Sequence, residues 1–242
     1  MLEIREFIQK IAFHQVHPMD NIALPVPIEF EVRNTYLPAE APYFVETLAP
    51  LLSMPRLSSF AIGAIIHALA RQMPAEAAFL NIGVWCGFSL FAGMVGNPEK
   101  TCLGVDNFCN LVGSSTPFDL GGAPRETFLP AFERLKSPQH HFFEMDFRRY
   151  FSEIHTQPLG LYIYDADHDF EAQLAGLQLA EPFLLPGAYI LIDDTNWLNV
   201  YSASLQFISQ SKHRYEIVFD SFTAHNGHPT FWNGLLILEK MN

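Results

Sequence analysis

After Pro74 the chain alternates short apolar runs with amphipathic stretches of helical length, and nothing else in the sequence restricts the fold as much. The runs are Ala77 to Gly83, Thr101 to Asp106, His140 to Asp146, Gly160 to Asp165 and Ala188 to Asp194. Each is too short for a buried helix and is bounded by glycine, proline or an acidic residue, so each reads as a buried strand. Helical candidates lie between them at about 88 to 96, 124 to 136, 147 to 154 and 169 to 184, and a further one near Asn196 to Gln210. Strands separated by helices pair in parallel, with the helices covering both faces of the sheet. Two more runs, about Tyr215 to Phe219 and Phe231 to Leu238, are joined by a connection containing Ala-His-Asn-Gly-His-Pro and no helix. A link without a crossover helix suits an antiparallel pair. The expectation is an α/β fold, Rossmann-like and doubly wound, with a mostly parallel seven-stranded sheet whose last strand runs antiparallel.

The first 56 residues read differently. Residues 1 to 16 place Ile4, Phe7, Ile8, Ile11 and Ala12 at helical spacing, which predicts an amphipathic helix. Seven prolines between His17 and Pro55 predict a mostly extended or irregular segment, with a helical turn or two around Tyr43 to Leu52. Ser58 or Ser59 then caps a helix that reaches about Met73. The expected organisation is a helical and irregular extension over residues 1–56, serving as a lid or a dimerisation arm, and a catalytic domain over residues 57–242.

Composition narrows the partners. Lys+Arg 14 against Asp+Glu 26 leaves a formal charge of −12, which argues against nucleic-acid binding through a broad basic surface. With 49% hydrophobic and 17% charged residues, the chain has ample material for a core. Glu3, Glu6 and Lys10 interrupt the apolar residues of the amino terminus, unlike a signal peptide, and the run Leu57 to Leu69 is too short to span a bilayer. Cys86, Cys102 and Cys109 form no CxxC pair, so a reducing, cytoplasmic setting without membrane attachment is expected.

In open parallel sheets ligands bind beyond the carboxyl ends of the strands, and here four of the five parallel strands end in an acidic residue. The first ends in Asn-Ile-Gly-Val-Trp-Cys-Gly-Phe-Ser-Leu, where Gly83 and Gly87 bracket a turn into a helix. A dinucleotide site needs a second glycine at position 85, and Trp85 stands there, which argues against NAD or FAD. A GxxxG turn suits a ligand without phosphates, with Gly83 admitting the ligand to the backbone and Gly87 letting the helix start pack closely. Asp106 ends the next strand, 23 residues after Gly83, near the spacing at which an acidic residue meets ribose hydroxyls. Asp146 ends the third. Each aspartate could instead cap the following helix; the three strand ends together point to a nucleoside-like ligand.

The densest signal is Tyr-Asp-Ala-Asp-His-Asp followed by Leu-Ile-Asp-Asp, which puts Asp165, Asp167 and His168 after one strand and Asp193 and Asp194 after the next. Converging carboxylates repel, and a raised pKa or a bound cation relieves them. An all-oxygen set points to magnesium, manganese or calcium. Asp194 and Asp169 also have capping readings, as residues before the helices that follow them.

In these motifs the sequence resembles the class I methyltransferases that use S-adenosylmethionine, and among them the metal-dependent O-methyltransferases related to macrocin O-methyltransferase. The resemblance runs from about Phe79 to Lys240 through the glycine turn, Gly-Val-Asp-Asn-Phe, Tyr-Asp-Ala-Asp-His-Asp-Phe-Glu, Pro-Gly-Ala-Tyr-Ile-Leu-Ile-Asp-Asp and Trp-Asn-Gly-Leu-Leu-Ile-Leu-Glu-Lys, in the family's order. It implies a seven-stranded sheet with the last strand antiparallel and methyl transfer to a hydroxyl of a small molecule such as a sugar, phenol or other natural product. It also implies a divalent cation, magnesium by preference, on Asp165, Asp193 and Asp194. The donor site it implies takes in Asn81, Gly83, Gly87, Ser89, Asp106, Asn107, Asp146 and Asp165, with ribose at Asp106 and adenine near Asp146. Asn81 departs from the family's usual acidic residue, and Asp165-Ala166-Asp167-His168 from its Asp-Gly-Asp-His. For the reaction, Asp165 serves as ligand and His168 as the base that accepts the hydroxyl proton.

Rival readings come from the same residues. An Asp-x-Asp after a strand also marks haloacid dehalogenase-type phosphatases, but no lysine lies between Asp165 and Asp193. Asn81 is compatible with a binding module that keeps the fold and has no catalysis. His225 and His228 flank Asn-Gly, a turn signal before it is a metal motif. His67 reads as a core histidine, while Tyr36, Tyr43, Phe44 and Trp197 are candidates to line an acceptor pocket.

Overall fold

The computed structural model describes residues 3–109 and 124–242. The elements in chain order are α1 (Ile4–Gln9), β1 (Ala12–Phe13), α2 (Ile28–Asn34), β2 (Thr35–Tyr36), α3 (Ala41–Leu52), α4 (Phe60–Gln72), β3 (Ala78–Ile82), α5 (Phe88–Met94), β4 (Thr101–Asp106), α6 (Pro124–Leu135), β5 (His140–Glu144), α7 (Phe147–Glu153), β6 (Leu159–Tyr164), α8 (Phe170–Ala180), β7 (Leu184–Asp193), α9 (Leu198–Gln210), β8 (Tyr215–Ser221) and β9 (Leu235–Lys240).

Seven strands form one sheet in the order β5-β4-β3-β6-β7-β9-β8. β3 to β7 pair in parallel, and β9 runs antiparallel to both β7 and β8. This is the mostly parallel, doubly wound sheet with an antiparallel last strand that is expected from the sequence. β9 starts at Leu235, four residues later than the apolar run predicts, because His228 and Trp232 pair with each other across a tight loop before the strand begins.

The central strands are buried on both faces: every residue of β3 and of β6 is buried. One face carries α4, α5 and α6 through Phe79, Leu161, Leu191 and Ile237. The other carries α7, α8 and α9 through Leu80, Tyr162, Ile190 and Leu238. Alternate residues of each strand therefore feed opposite cores, which a period-2 backbone requires. Among the described residues no helix is long and apolar enough to cross a membrane. The three cysteines are free, two buried and one exposed.

The extension packs on the first of these cores. Phe7, Ile8, Phe44, Leu48 and Leu51 join the cluster built by α4 and α5, so the change in sequence character near residue 56 does not mark a break in packing. The amino-terminal helix is shorter than expected. After Lys10 the chain turns into β1, and the Asn34 side chain then holds it by accepting from the Gln15 and Val16 amides. The proline-rich segment is more helical than expected. α2 starts directly after Pro27, and α3 runs three turns with Pro42 in its first turn, where the missing N–H costs nothing. Burial of Phe44, Leu48 and Leu51 on one stripe outweighs Pro50 near its end. As expected, Ser59 caps α4, its hydroxyl accepting from the Ile62 amide.

Candidate active site

β3 and β6 are neighbours, yet the chain leaves β3 toward β4 on one side and returns to β6 on the other. That reversal is the switch point at which open α/β sheets hold ligands. The two strand ends meet closely: the Asp165 amide donates to the Ile82 carbonyl at 2.8 Å. Gly83 lies at φ 77°, and a Cβ there would stand 1.9 Å from the Asp165 carbonyl oxygen. The space this glycine leaves is thus filled by the backbone of the next strand rather than reserved for a ligand. Gly87, at φ 100°, abuts the Phe91 ring one turn into α5, in line with the expected close packing. Trp85 between them also takes a left-handed conformation, φ 47°.

Asp106 holds this turn. One carboxylate oxygen accepts from the amides of Val84 at 2.8 Å and Trp85 at 2.9 Å, and the other from Phe108 at 2.7 Å. Three of about four acceptor sites are thereby used on the protein's own backbone, so Asp106 shapes the turn after β3. Replacing Asp106 with alanine leaves three amides without their acceptor, each loss costing roughly 1–3 kcal/mol where the amide stays dry. At least a tenfold loss of S-adenosylhomocysteine affinity by calorimetry is expected, and unchanged affinity would remove Asp106 from the donor site.

The other candidate donor residues divide. Asn81 is fully buried at the end of β3; its amide group donates to the Ile82 and Gly83 carbonyls, while its Oδ1 has no hydrogen-bond partner. A buried acceptor left open next to the glycine turn fits an incoming N–H donor. Ser89 is half-buried in the first turn of α5. Asn107 is exposed and accepts from the Cys109 amide. Asp146 caps α7, accepting from the Arg148 and Arg149 amides, so its capping reading is realised. Asp169 likewise caps α8. Asp194 does not cap a helix with its side chain, because that side chain bonds Asn233.

The carboxylate cluster assembles, with one member exchanged. Asp165, His168 and Asp194 offer ligand atoms that all lie within 4.8 Å of one another. His168 Nε2 is 2.8 Å from Asp194 Oδ2 and 3.4 Å from Asp165 Oδ1, and it makes an aligned hydrogen bond to neither. Two carboxylates and an imidazole directed at one point, without hydrogen-bond alignment, form a donor set that fits a divalent cation. Asp193, expected as a ligand, is not among these converging atoms. It is buried, 6% exposed, and burial and then the Asp165 and Asp194 charges raise its pKa well above the usual carboxylate range. Asp193 is the last residue of β7 and Asp194 lies just beyond it at φ 55°, a change of backbone direction that the doublet Asp-Asp conceals in one dimension.

His168 also differs from expectation. Burial lowers its pKa, but the Asp165 and Asp194 carboxylates outweigh that and hold the ring as imidazolium up to about 11. A ring already protonated at neutral pH cannot accept a proton, so in the cation-free protein His168 is an ion-pair partner rather than the base. Burial raises the Asp165 pKa to about 6, against the lowering effect of His168.

Asn233 and Asn196, absent from the sequence-based expectations, complete the rim. Asn233 donates to Asp194 Oδ1 and accepts from the Gly227 amide. Asn196 binds Thr223 through its main-chain carbonyl, amide and hydroxyl. Asp194 lies 39 residues from Asn233 and Thr223 27 from Asn196, and no local pattern announces these pairs. Trp197 stands edge-to-face on His168, ring centroids 4.7 Å apart, as a pocket-lining residue would. Tyr43 and Phe44 instead pack around His67, which is a buried core histidine bonded to the Ala92 carbonyl. Tyr36 is exposed beside His14. His228 is buried between the Thr230 hydroxyl and the Asp20 carbonyl, a structural role that ties the amino-terminal segment to the loop before β9.

Residues 80–195 match the family model described as a methyltransferase domain. No curated protein matches the chain in sequence. Among solved structures, cofactor-bound Rv0187 from MTB superposes with a TM-score of 0.58 at 17% identity, over 83% of this chain and 91% of that one. The O-methyltransferase TomG from Streptomyces achromogenes, solved with SAM, gives 0.55 at 13% identity over 83% and 89%. An O-methyltransferase from Bacillus cereus, solved with SAH, gives 0.54 at 12% over 83% and 90%.

Proposed function

We propose that this chain, a methyltransferase domain over residues 80–195 set in the class I methyltransferase fold, transfers a methyl group from S-adenosylmethionine to a hydroxyl of a small molecule with the help of a divalent cation. The observation that carries the reading is the meeting of the glycine turn and the cation cluster: Gly83 packs on the backbone of Asp165, whose side chain converges with His168 and Asp194. Donor turn and acceptor-activating group are thereby held at one switch point by rigid strands, and positioning of two reactants accounts for much of such a reaction's barrier.

S-adenosylmethionine supplies a methyl group on a sulfonium, ready for in-line displacement by an oxygen. A divalent cation, when bound, lowers the pKa of a coordinated hydroxyl. The residues of the chain do the rest. Asn81 Oδ1, buried and open, accepts from the donor's ammonium group. Asp106 keeps Val84, Trp85 and Phe108 in place at the glycine turn. Asp165, His168 and Asp194 would hold the cation, and Asn233 fixes the Asp194 rotamer.

Calorimetry tests the assignment: S-adenosylhomocysteine should bind without added metal, and manganese or magnesium should bind wild type but not a variant lacking Asp165 and Asp194. Failure of S-adenosylhomocysteine to bind would sink the reading. Cation binding should also be proton-linked. Free His168 is protonated at neutral pH, and a metal-bound imidazole is not, so binding near pH 7.5 should release about one proton. Affinity then rises with pH. The check is the dependence of the apparent binding enthalpy on buffer ionisation enthalpy; no dependence would place the metal away from His168.

A further inference from the structure

We infer that His228 is a positioning residue for the cation site: it ties the amino-terminal turn at residues 17–20 to the Asp194 carboxylate through the loop before β9. The inference rests on the reading above of Asp165, His168 and Asp194 as cation ligands. It adds that this set depends on a segment remote from it in sequence.

The chain of contacts starts at the carboxylate. Asp194 Oδ2 lies 2.8 Å from His168 Nε2, and Oδ1 accepts from the Asn233 side-chain amide. A bound cation displaces the His168 proton, and the Asn233 hydrogen bond is then what still orients the carboxylate. An amide side chain can turn either its oxygen or its nitrogen toward a neighbour. Here the Gly227 main-chain N–H decides: it donates to Asn233 Oδ1 at 2.8 Å, so the NH2 group is the end that faces Asp194. The place of Gly227 therefore governs whether Asp194 meets a donor.

Gly227 is held through its neighbour. His228 and Trp232 exchange two main-chain hydrogen bonds of 3.0 Å, which set residue 227 opposite residue 233. The His228 ring is fully buried, and both of its nitrogens are engaged. Nε2 donates to the Asp20 carbonyl at 3.0 Å, and Nδ1 accepts from the Thr230 hydroxyl at 2.7 Å. The far end of the tie is fixed as well. The Asp20 carboxylate accepts from the His17 amide at 2.8 Å, and the Asp20 amide donates to the His17 carbonyl at 3.0 Å. Beside it the Pro18 carbonyl accepts from the Ala224 amide at 2.8 Å. Groups that hydrogen-bond behind a metal ligand set its orientation, and with it the metal affinity. His228 stands one step behind Asn233 in that role.

The test is manganese titration of the full chain at pH 7.5, followed by electron paramagnetic resonance, with S-adenosylhomocysteine calorimetry and Tm measured alongside. Asn233→Ala should weaken manganese binding by about 10- to 100-fold. His228→Leu, one step further out, should weaken it by about three- to tenfold and leave S-adenosylhomocysteine affinity within about twofold. His228→Gln keeps an N–H at the reach of Nε2 and should recover most of that loss. Because His228 acts through Asn233, the double variant should bind no more weakly than Asn233→Ala alone. Asp20→Ala, on the exposed turn, should weaken manganese by about two- to threefold with Tm little changed. That variant decides the question if His228→Leu does not fold. A histidine that only stabilises the fold would lower Tm and leave the cation affinity of the folded protein alone. Wild-type manganese affinity in folded His228→Leu or in Asp20→Ala overturns the inference, as do losses that add in the double variant or that fall equally on S-adenosylhomocysteine; the cation site then stands without it. If the wild type itself binds no manganese, the cation reading and this inference fall together.

Discussion

Replacing Asp194 with glycine is expected to lower kcat by at least about a thousandfold while leaving S-adenosylhomocysteine affinity within about twofold. Asp194 sits at φ 55°, where alanine would add strain but glycine adds none, so the substitution isolates the loss of the carboxylate. That carboxylate is one of three groups that converge on the cation position, and its loss also frees the Asn233 amide. A cation polarising a hydroxyl oxygen contributes several kcal/mol to the transition state, and each 1.36 kcal/mol is a factor of about ten in rate. The donor does not touch this side chain in the proposed arrangement, which is why its affinity should hold. Titration with manganese should show binding lost in the same variant. A variant that keeps wild-type turnover in excess chelator would refute metal assistance and leave Asp194 as an anchor for the loop before β9.

Gly83→Ala is expected to damage the fold itself. The new Cβ would meet the Asp165 carbonyl oxygen at 1.9 Å, with the carbonyl carbon and the Ala166 nitrogen also inside contact distance. These are backbone atoms of a central strand end, unable to move aside as a flexible side chain would. Overpacking of this kind costs about 1–3 kcal/mol, and a non-glycine residue at φ 77° adds about 1–2 kcal/mol. The sum, about 2–5 kcal/mol, corresponds to a fall in Tm of roughly 4–20 °C for a chain of this size. Donor binding should weaken with it, because the Val84 and Trp85 amides that Asp106 grips belong to the same turn. A variant that melts with the wild type would mean the β3 and β6 ends stand further apart than described.

The sheet was legible in the sequence because its signal is local. Five apolar runs separated by helical stretches leave a parallel sheet as the one arrangement that buries them all, and the helix-free link between the last two runs marks an antiparallel pair. β4, Thr101–Asp106, coincides with its apolar run, and Ser59 and Asp169 cap the helices that follow them. The identities at the strand ends were equally readable: a glycine turn without a second central glycine, and aspartates where two strands stop. Even Trp197 at the rim follows from its place just after a strand end.

The sequence did not determine which of those aspartates face one another. Asp193 and Asp194 are neighbours in the chain, yet Asp193 is the buried last residue of β7 while Asp194 leaves the strand at φ 55° and stands against His168. His168 reads as a free base in one dimension; in the fold Asp165, three residues before it, and Asp194 from the next strand end together hold it as an imidazolium in the cation-free protein. The helix α2 was hidden by prolines and α3 was foreseen only as a turn or two around Tyr43 to Leu52; the local cost of the prolines is outweighed by burial against α4, an energy that no window of sequence contains. Asn233, Asn196 and Gly83's contact with Asp165 likewise depend on partners brought together by the sheet order. Local propensity and patterning determine the elements and what each strand end carries; long-range packing in the folded chain decides which charges meet, and therefore which protonation states and which chemistry the same residues support.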